Sequence, residues 1–173
     1  IKIGEKVWRY PNRKFKVGSD WPTFRLHYKK GIKVLGGDVD FDLVYATMYK
    51  ELNMATLGTS SVYLMGGTYL GDGPTEFIDY FHFYGNQTHI GNPFNYSSRF
   101  LMLPYYSNST NGDFYQMHLQ HNFQGFLLSK LPLFKQLGWH LAGGYKLLNS
   151  STSDLYQEIH FGIDNIGWNI FRL

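Results

Sequence analysis

Residues 113–124, DFYQMHLQHNFQ, alternate between apolar and polar side chains, and no other feature of the chain constrains its fold as strongly. Side chains two positions apart lie on the same face of a β-strand, so this period predicts one strand with two chemically different faces. The apolar face comprises Tyr115, Met117, Leu119 and Phe123, and the polar face comprises Gln116, His118, Gln120 and Asn122. Successive polar side chains on one face predict that water reaches that face.

Similar alternation along the chain predicts an all-β fold. The predicted strands are residues 22–31, 39–52, 56–70, 76–84, 98–106, 113–124, 138–148 and 156–163, with a last strand starting near Trp168. Most are longer than the usual five or six residues of soluble strands and fit the roughly nine to eleven that cross a bilayer at a tilt. The 14 Phe, 14 Tyr and 4 Trp residues also suit the aromatic girdles of membrane barrels. We therefore expect part of an antiparallel transmembrane β-barrel, with about eight or nine strands present.

In such a barrel the polar face of each strand points to the lumen and the apolar face points to lipid. The strand at 22–31 adds Arg25 and Lys29 to the predicted lumen-facing residues. Asp38, Asp40 and Asp42 alternate at the start of the next strand and allow two interpretations. They are either oxygen ligands for calcium or a row of lumen charges that Arg25 and Lys29 neutralise. The spacing lacks a known calcium loop, which favours the row of charges.

Residues 125–137, GFLLSKLPLFKQL, form an apolar connection with two lysines and one proline. One interpretation is a short helix near 126–137 that packs in a soluble core. The other is an interfacial segment at the rim of a barrel, with Lys130, Lys135 and Trp139 at headgroup level. The polar loops at 85–97 and 107–112 contrast with it, and outer-membrane barrels keep their longer loops outside. This contrast predicts that 125–137 lies on the periplasmic side.

The seven histidines raise the question of a metal or a catalytic site. His118 and His121 point to opposite faces of the predicted strand, and the chain has no cysteine, so we expect no metal and no cofactor. An acyl hydrolase in which His121 activates a serine is a further alternative. No fingerprint selects a nucleophile among Ser97, Ser98, Ser107, Ser109 and Ser129. We expect a non-enzymatic protein.

Charge and hydropathy exclude two other classes of protein. Ten basic residues lie in residues 1–33, but the net charge of the whole chain is only +3, so we expect no nucleic-acid partner. No run of about eighteen apolar residues occurs, which excludes a transmembrane helix.

Four segments resemble a known family: HFYGNQTHI at 82–90, FLMLPYYSNSTNGDF at 100–114, HLQHNFQGFLLSKLPLFKQLGW at 118–139 and YQEIHFGIDNIGWNIFRL at 156–173. They are similar to the C-terminal part of a Bacteroidota outer-membrane family of unknown function. Its members carry a carboxypeptidase-regulatory-like domain ahead of a region that is distantly similar to the surface-antigen barrels of BamA and TamA. The resemblance supplies no catalytic residues.

The resemblance implies that residues 1–173 are the C-terminal portion of an outer-membrane β-barrel domain, incomplete at both ends. It implies export, assembly or surface presentation of proteins or other molecules in the outer membrane of a Gram-negative bacterium. Lipid and lipopolysaccharide are the expected partners, together with other outer-membrane proteins or lipoproteins. A soluble β-barrel or β-sandwich that binds a ligand is the alternative from a different class.

Overall fold

The computed structural model describes residues 4–11, 13–19, 21–34, 38–71, 73–85, 98–130, 138–164, 167–168 and 171–172. Its strands are β1 (Glu5–Tyr10), β2 (Arg13–Ser19), β3 (Thr23–Gly31), β4 (Phe41–Asn53), β5 (Thr59–Leu70), β6 (Phe114–Asn122), β7 (His140–Ser150), β8 (Ser153–Asp164), β9 (Gly167–Trp168) and β10 (Phe171–Arg172). The helical elements are short 3₁₀ turns at Ala55–Leu57, Phe77–Asp79 and Leu128–Lys130. The predicted all-β fold is confirmed. No helix among these residues is long and apolar enough to cross a membrane.

The main element is an antiparallel sheet of six strands in the order β3-β4-β5-β6-β7-β8. Strands β1 and β2 form a separate hairpin, and so do β9 and β10. Within the described residues β3 and β8 are the two edges of the sheet, which is open and not closed into a barrel. Sequential neighbours pair throughout, so alternate connections lie at opposite ends of the sheet. Residues 71–113 and 123–139 therefore emerge at opposite ends.

Two of the predicted strands are wrong, and one hairpin was not predicted. Residues 76–84 contain a 3₁₀ turn followed by a single bridge between Phe81 and Thr110, and residues 98–106 form turns and bends. Both segments carry aromatic residues in an alternating pattern, but they do not pair as strands. Phe83 and Phe100 are buried against the sheet, whereas Tyr84, Tyr105 and Tyr106 are exposed. The β1–β2 hairpin lies in the strongly basic first part of the chain, where the apolar alternation is weak.

Residues 73–85 and 98–113, here called the covering segment, lie over one face of the sheet. Phe83, Phe100 and Leu103 from this segment join a core cluster with residues of β4 to β7: Phe41, Leu43, Met65, Phe114 and Leu148. The rings of Phe81 and Phe114 stack with centroids 4.3 Å apart. Burying each large side chain contributes about 1.5–3 kcal/mol, so the cluster holds the covering segment on this face. We call this side of the sheet the covered face and the opposite side the open face.

Gly66 and Gly67 in β5 lie on opposite faces of the sheet, so substituting each of them gives a matched test of the packing. A Cβ on Gly67 would lie 2.5 Å from Tyr45 Cβ and 2.7 Å from Phe114 Cζ on the covered face. A Cβ on Gly66 would approach nothing closer than 3.6 Å. We expect Gly67→Ala to lower the free energy of unfolding by about 1–3 kcal/mol through overpacking, and Gly66→Ala to change it little. Urea titrations of both variants would measure this, and equal effects would contradict the packing.

Candidate functional site: the two faces of the sheet

The open face carries apolar side chains that are exposed in the described chain. One row of directly paired apolar residues crosses the five strands β3 to β7: Phe24, Met48, Leu64, Met117 and Leu147. Toward the β8 edge, Ile159 and Phe161 are 70% and 78% exposed, and toward the β3 edge Leu26 is 76% exposed. Monomeric soluble proteins rarely expose a contiguous apolar surface that extends across a whole sheet.

Polar residues bound this apolar surface at one end of the strands. The boundary residues are Lys30 on β3, Asp42 on β4, Thr68 on β5, Asp113 directly before β6, Asn149 on β7 and Gln157 on β8. Thr68 donates a hydrogen bond to Asp113 at 2.5 Å, and Lys30 pairs with Asp42 at 3.0 Å. Lys30 shares a row with Asp42, and Thr68 shares one with Asp113, whereas the steps from Asp42 to Thr68, from Asp113 to Asn149 and from Asn149 to Gln157 each move the boundary inward by one row. The exposed side chains of Leu70 and Leu155 lie beyond this boundary on β5 and β8.

The slope of this boundary gives the angle between the strands and the apolar band. Following the register from strand to strand, Lys30 lies in the row of Leu70 on β5, and Gln157 lies in the row of Leu64. The boundary therefore shifts by six residues along the strand direction while it crosses from β3 to β8, which is five strand-to-strand spacings. With about 3.4 Å per residue and about 4.8 Å between strands, the band crosses the strands at about 40° from the hydrogen-bonding direction. A level band therefore requires strands tilted by about 40°.

Three neighbouring strands also give the apolar band the same width. Polar side chains on the open face are separated by eight residues in each: Asp42 to Lys50, Ser60 to Thr68, and Asp113 to His121. Eight residues span about 27 Å along a strand, or about 20 Å after projection at a tilt of about 40°. The band therefore has the same width on β4, β5 and β6.

The strand β6 places the two sets predicted from the alternation on opposite faces. Tyr115 and Leu119 lie on the open face with exposures of 51% and 36%, and Met117 lies between them. Gln116, His118, Gln120 and Asn122 lie on the covered face. Phe123 follows the end of β6, where its ring packs edge-on against His121. Contact of the open face with lipid stays a prediction.

The expectation that water reaches the polar residues of β6 is wrong for two of them. Gln116 and His118 are 3% and 1% exposed because the covering segment lies over them. The His118 ring packs 4.6 Å from the Phe100 ring and 5.6 Å from the Tyr63 ring, measured between centroids. Neither ring nitrogen of His118 has a hydrogen-bond partner among the described residues. The polar residues of β6 thus lie on the covered face, where Gln116 and His118 are buried and Gln120 and Asn122 are partly exposed.

A buried ion pair joins the covering segment to the sheet. Lys146 Nζ lies 3.4 Å from Glu158 Oε1, with side-chain exposures of 0% and 6%. Lys146 donates a hydrogen bond to the backbone carbonyl of Arg99 at 2.6 Å. The two carboxylate oxygens of Glu158 accept hydrogen bonds from the backbone N–H groups of Leu101 and Met102 at 2.8 and 3.0 Å. The pair therefore satisfies three backbone groups of an irregular segment that has no strand partner there.

Sequence reasoning did not identify Lys146 and Glu158 as a pair. The signal available was one basic residue within the predicted strand at 138–148 and one acidic residue within 156–163. Only the β7–β8 register, which places Lys146 opposite Glu158, brings the two charges together.

The predicted compensation of Asp42 by Arg25 and Lys29 is wrong. Asp42 lies on the open face and pairs with Lys30 Nζ at 3.0 Å, and the Tyr28 hydroxyl donates a hydrogen bond to it. Arg25 and Lys29 lie on the other face, in register with Thr47 and Leu43 of β4, and both are exposed. Lys29 Nζ instead lies 5.1 Å from the centre of the Phe41 ring. The register of β3 against β4 decides this outcome.

The connector between β6 and β7 is only partly within the described residues. A 3₁₀ turn at Leu128–Lys130 is the helical element there, and Lys130 Nζ lies 4.2 Å from the centre of the Phe126 ring. Trp139 lies directly before β7 and is partly buried. Lys135 lies outside the described residues.

Two histidines lie beside serines. His121 Nδ1 is 2.7 Å from Ser60 Oγ on the open face, and His121 Nε2 is 3.1 Å from the carbonyl oxygen of Leu57. His82 Nδ1 is 2.7 Å from Ser109 Oγ in the covering segment. Ser60 was not among the serines considered from sequence, because its proximity to His121 arises from the pairing of β5 with β6. The described residues contain no group of three or more acidic or histidine side chains arranged to hold a metal.

These features define a class of protein: an antiparallel, all-β domain with one covered face and one apolar open face. The chain belongs to the family described as "Family of unknown function (DUF5686) C-terminal domain", whose model matches residues 1–163. No curated protein and no solved structure matches the sequence.

Proposed function

We propose that β3 to β8 form part of the wall of an outer-membrane β-barrel in a Gram-negative bacterium, with the open face against lipid and lipopolysaccharide. The observation that carries this proposal is the apolar band of constant width that crosses the strands at about 40°. Strands of outer-membrane barrels tilt by about 35–45°, and their apolar bands are about 25 Å tall. A sheet tilted to lie in a bilayer at this angle brings its polar boundary residues to one level.

The exposed side chains support the same placement energetically. Leu26, Ile159 and Phe161 on the open face are each at least 70% exposed, and such exposure to water is unfavourable by about 25 cal/mol for each Å² of apolar surface. Contact with acyl chains removes this cost. The soluble ligand-binding alternative would need another layer of protein over the whole open face.

Within such a barrel, the covered face would be the inner face and the covering segment would fill the lumen next to β4–β8. The ion pair of Lys146 and Glu158 anchors that segment through three backbone groups. An inner face filled in this way does not suit free diffusion of solutes. We therefore propose a role of the barrel in assembly, export or surface presentation of proteins or other molecules, with movement of the covering segment required for any passage. Resemblance to surface-antigen barrels supports this role.

The sidedness of the connections tests the proposal. The chain contains no cysteine, so a single introduced cysteine can be labelled cleanly. Asn111 and Lys130 are exposed and lie in connections at opposite ends of the sheet. In the full-length protein in intact cells, we expect a membrane-impermeant maleimide to label Asn111→Cys at once. Lys130→Cys should be labelled only after the outer membrane is permeabilised.

Two results would contradict the proposed function. One is equal labelling of both cysteines on intact cells. The other is recovery of the full-length protein in the soluble fraction without detergent, which would favour the soluble ligand-binding module. The cysteine-free parent protein controls for non-specific labelling.

A further inference from the structure

The pair of Ser60 and His121 has the geometry of an activated nucleophile. The two residues lie directly opposite each other in the β5–β6 ladder, and Ser60 Oγ is 2.7 Å from His121 Nδ1. His121 Nε2 is 3.1 Å from the backbone carbonyl oxygen of Leu57, and the Phe123 ring lies edge-on against the imidazole at 4.3 Å. Nucleophile, base and orienting group thus meet at hydrogen-bonding distance, as nucleophilic catalysis requires.

The Leu57 carbonyl determines which nitrogen of His121 carries the proton. A carbonyl oxygen only accepts hydrogen bonds, so Nε2 must be the protonated nitrogen. In the neutral ring Nδ1 is then left with a lone pair. This nitrogen, 2.7 Å away, accepts the hydrogen bond of the Ser60 hydroxyl in preference to Met54 Sδ, a weak acceptor 3.5 Å away. This direction is the one that a general base needs in order to remove the serine proton.

In the second pair, His82 with Ser109, the hydrogen bond between the two side chains runs in the opposite direction. The Ser109 hydroxyl donates to the carbonyl oxygen of Tyr106 at 3.0 Å, so its hydrogen points away from His82. His82 Nδ1 must therefore donate to Ser109 Oγ and cannot act as its base. This pair serves as an internal control for the first.

The position of Ser60 and His121 relative to the apolar band indicates the class of substrate. Both are partly exposed on the open face, and Val62 and Leu119 occupy the next row toward the centre of the band. In a lipid molecule the ester carbonyl likewise lies at the boundary between headgroup and acyl chain. An ester whose acyl chain runs along the band would place its carbonyl beside Ser60.

We propose that Ser60 and His121 form an acyl-ester hydrolase site for membrane lipids; the lipid substrate class rests on the proposed function, whereas the reactivity of Ser60 does not. Ser60 Oγ attacks the ester carbonyl carbon while its proton passes to His121 Nδ1. The tetrahedral intermediate collapses with cleavage of the carbonyl carbon–oxygen bond, and the leaving alcohol takes the proton from Nδ1. Water, deprotonated by Nδ1, then attacks the acyl-serine, and the fatty acid leaves as Ser60 regains its proton. This inference departs from the expectation of a non-enzymatic protein.

A fluorophosphonate probe tests the nucleophile on the full-length protein purified in detergent. We expect the probe to label Ser60, identified by peptide mass spectrometry, and p-nitrophenyl laurate in mixed micelles to be hydrolysed. Ser60→Ala should abolish both, and His121→Gln should slow both by roughly a hundredfold or more, because a general base contributes about 10²–10⁴. Ser61→Ala, on the opposite face of β5, and Ser109→Ala should match the parent protein.

The outcomes separate this inference from the proposed function. If the folded parent protein is not labelled at Ser60, or if Ser60→Ala and Ser61→Ala behave alike, the hydrolase site is overturned whatever the membrane assay shows. Labelling at Ser60 with equal hydrolysis of p-nitrophenyl butyrate and laurate keeps the nucleophile but contradicts a lipid substrate. Circular dichroism of each variant confirms that the sheet is intact.

Discussion

Met117→Arg is expected to make folding into phospholipid vesicles less favourable by about 2–4 kcal/mol, the cost of a cation at the middle of a lipid-facing strand. Met117 lies midway between Asp113 and His121, which bound the apolar band on β6. Its neighbours in the row, Leu64 and Leu147, offer the arginine no partner of opposite charge. A guanidinium at this position must therefore lie in hydrocarbon or distort the bilayer to reach water.

The matched control for Met117→Arg is Gln157→Arg, a substitution on the same face but at the polar boundary of the band. We expect it to cost about 0–1 kcal/mol, because cations near the interface remain hydrated. Denaturant titrations of folding into vesicles would measure both variants. Equal costs at the two positions would show that the open face does not lie in a bilayer.

Lys146→Met is expected to destabilise the protein by about 3–5 kcal/mol, because it leaves the carboxylate of Glu158 buried without its cation. Both partners are almost fully buried, and Lys146 also loses its hydrogen bond to the Arg99 carbonyl. The loss should loosen the covering segment before the sheet. Hydrogen exchange of the Leu101 and Met102 amides should therefore accelerate more than exchange in β5.

The exposed pair of Lys30 and Asp42 supplies the control for the buried one. Its side chains are 44% and 29% exposed, so Lys30→Met should destabilise the protein far less than Lys146→Met. Adding Glu158→Gln to Lys146→Met should recover part of the loss by removing the uncompensated charge. If Lys146→Met costs no more than Lys30→Met, the ion pair does not anchor the covering segment.

Much of the sheet could be predicted from the period-two alternation. The predicted strands at 22–31, 39–52, 56–70, 113–124, 138–148 and 156–163 each correspond to a strand of the six-stranded sheet. In β6 the alternation also separated the two faces, because successive side chains on any strand point to opposite sides. These properties follow from local backbone geometry, which each stretch of sequence carries by itself.

The covering segment could not be predicted from alternation. Residues 76–84 and 98–106 have the aromatic content of strands. The rings of Phe81, Phe83 and Phe100 pack against Phe114 and His118 of the sheet, whereas Tyr84 and Tyr106 stay exposed. Aromatic residues are common both within β-strands and in irregular segments that pack on a sheet. Contacts between residues distant in sequence decide between the two, and alternation does not report them.

The all-β class, the strands of the sheet and the apolar and polar faces of β6 were predictable from the sequence, because these depend on side-chain order along single strands. The tertiary structure decided which charges meet, which face is covered and which serine lies beside His121. Lys30 with Asp42, Lys146 with Glu158 and Ser60 with His121 are all cross-strand neighbours. Cross-strand neighbours depend on register, and a shift of one residue would move each side chain to the other face.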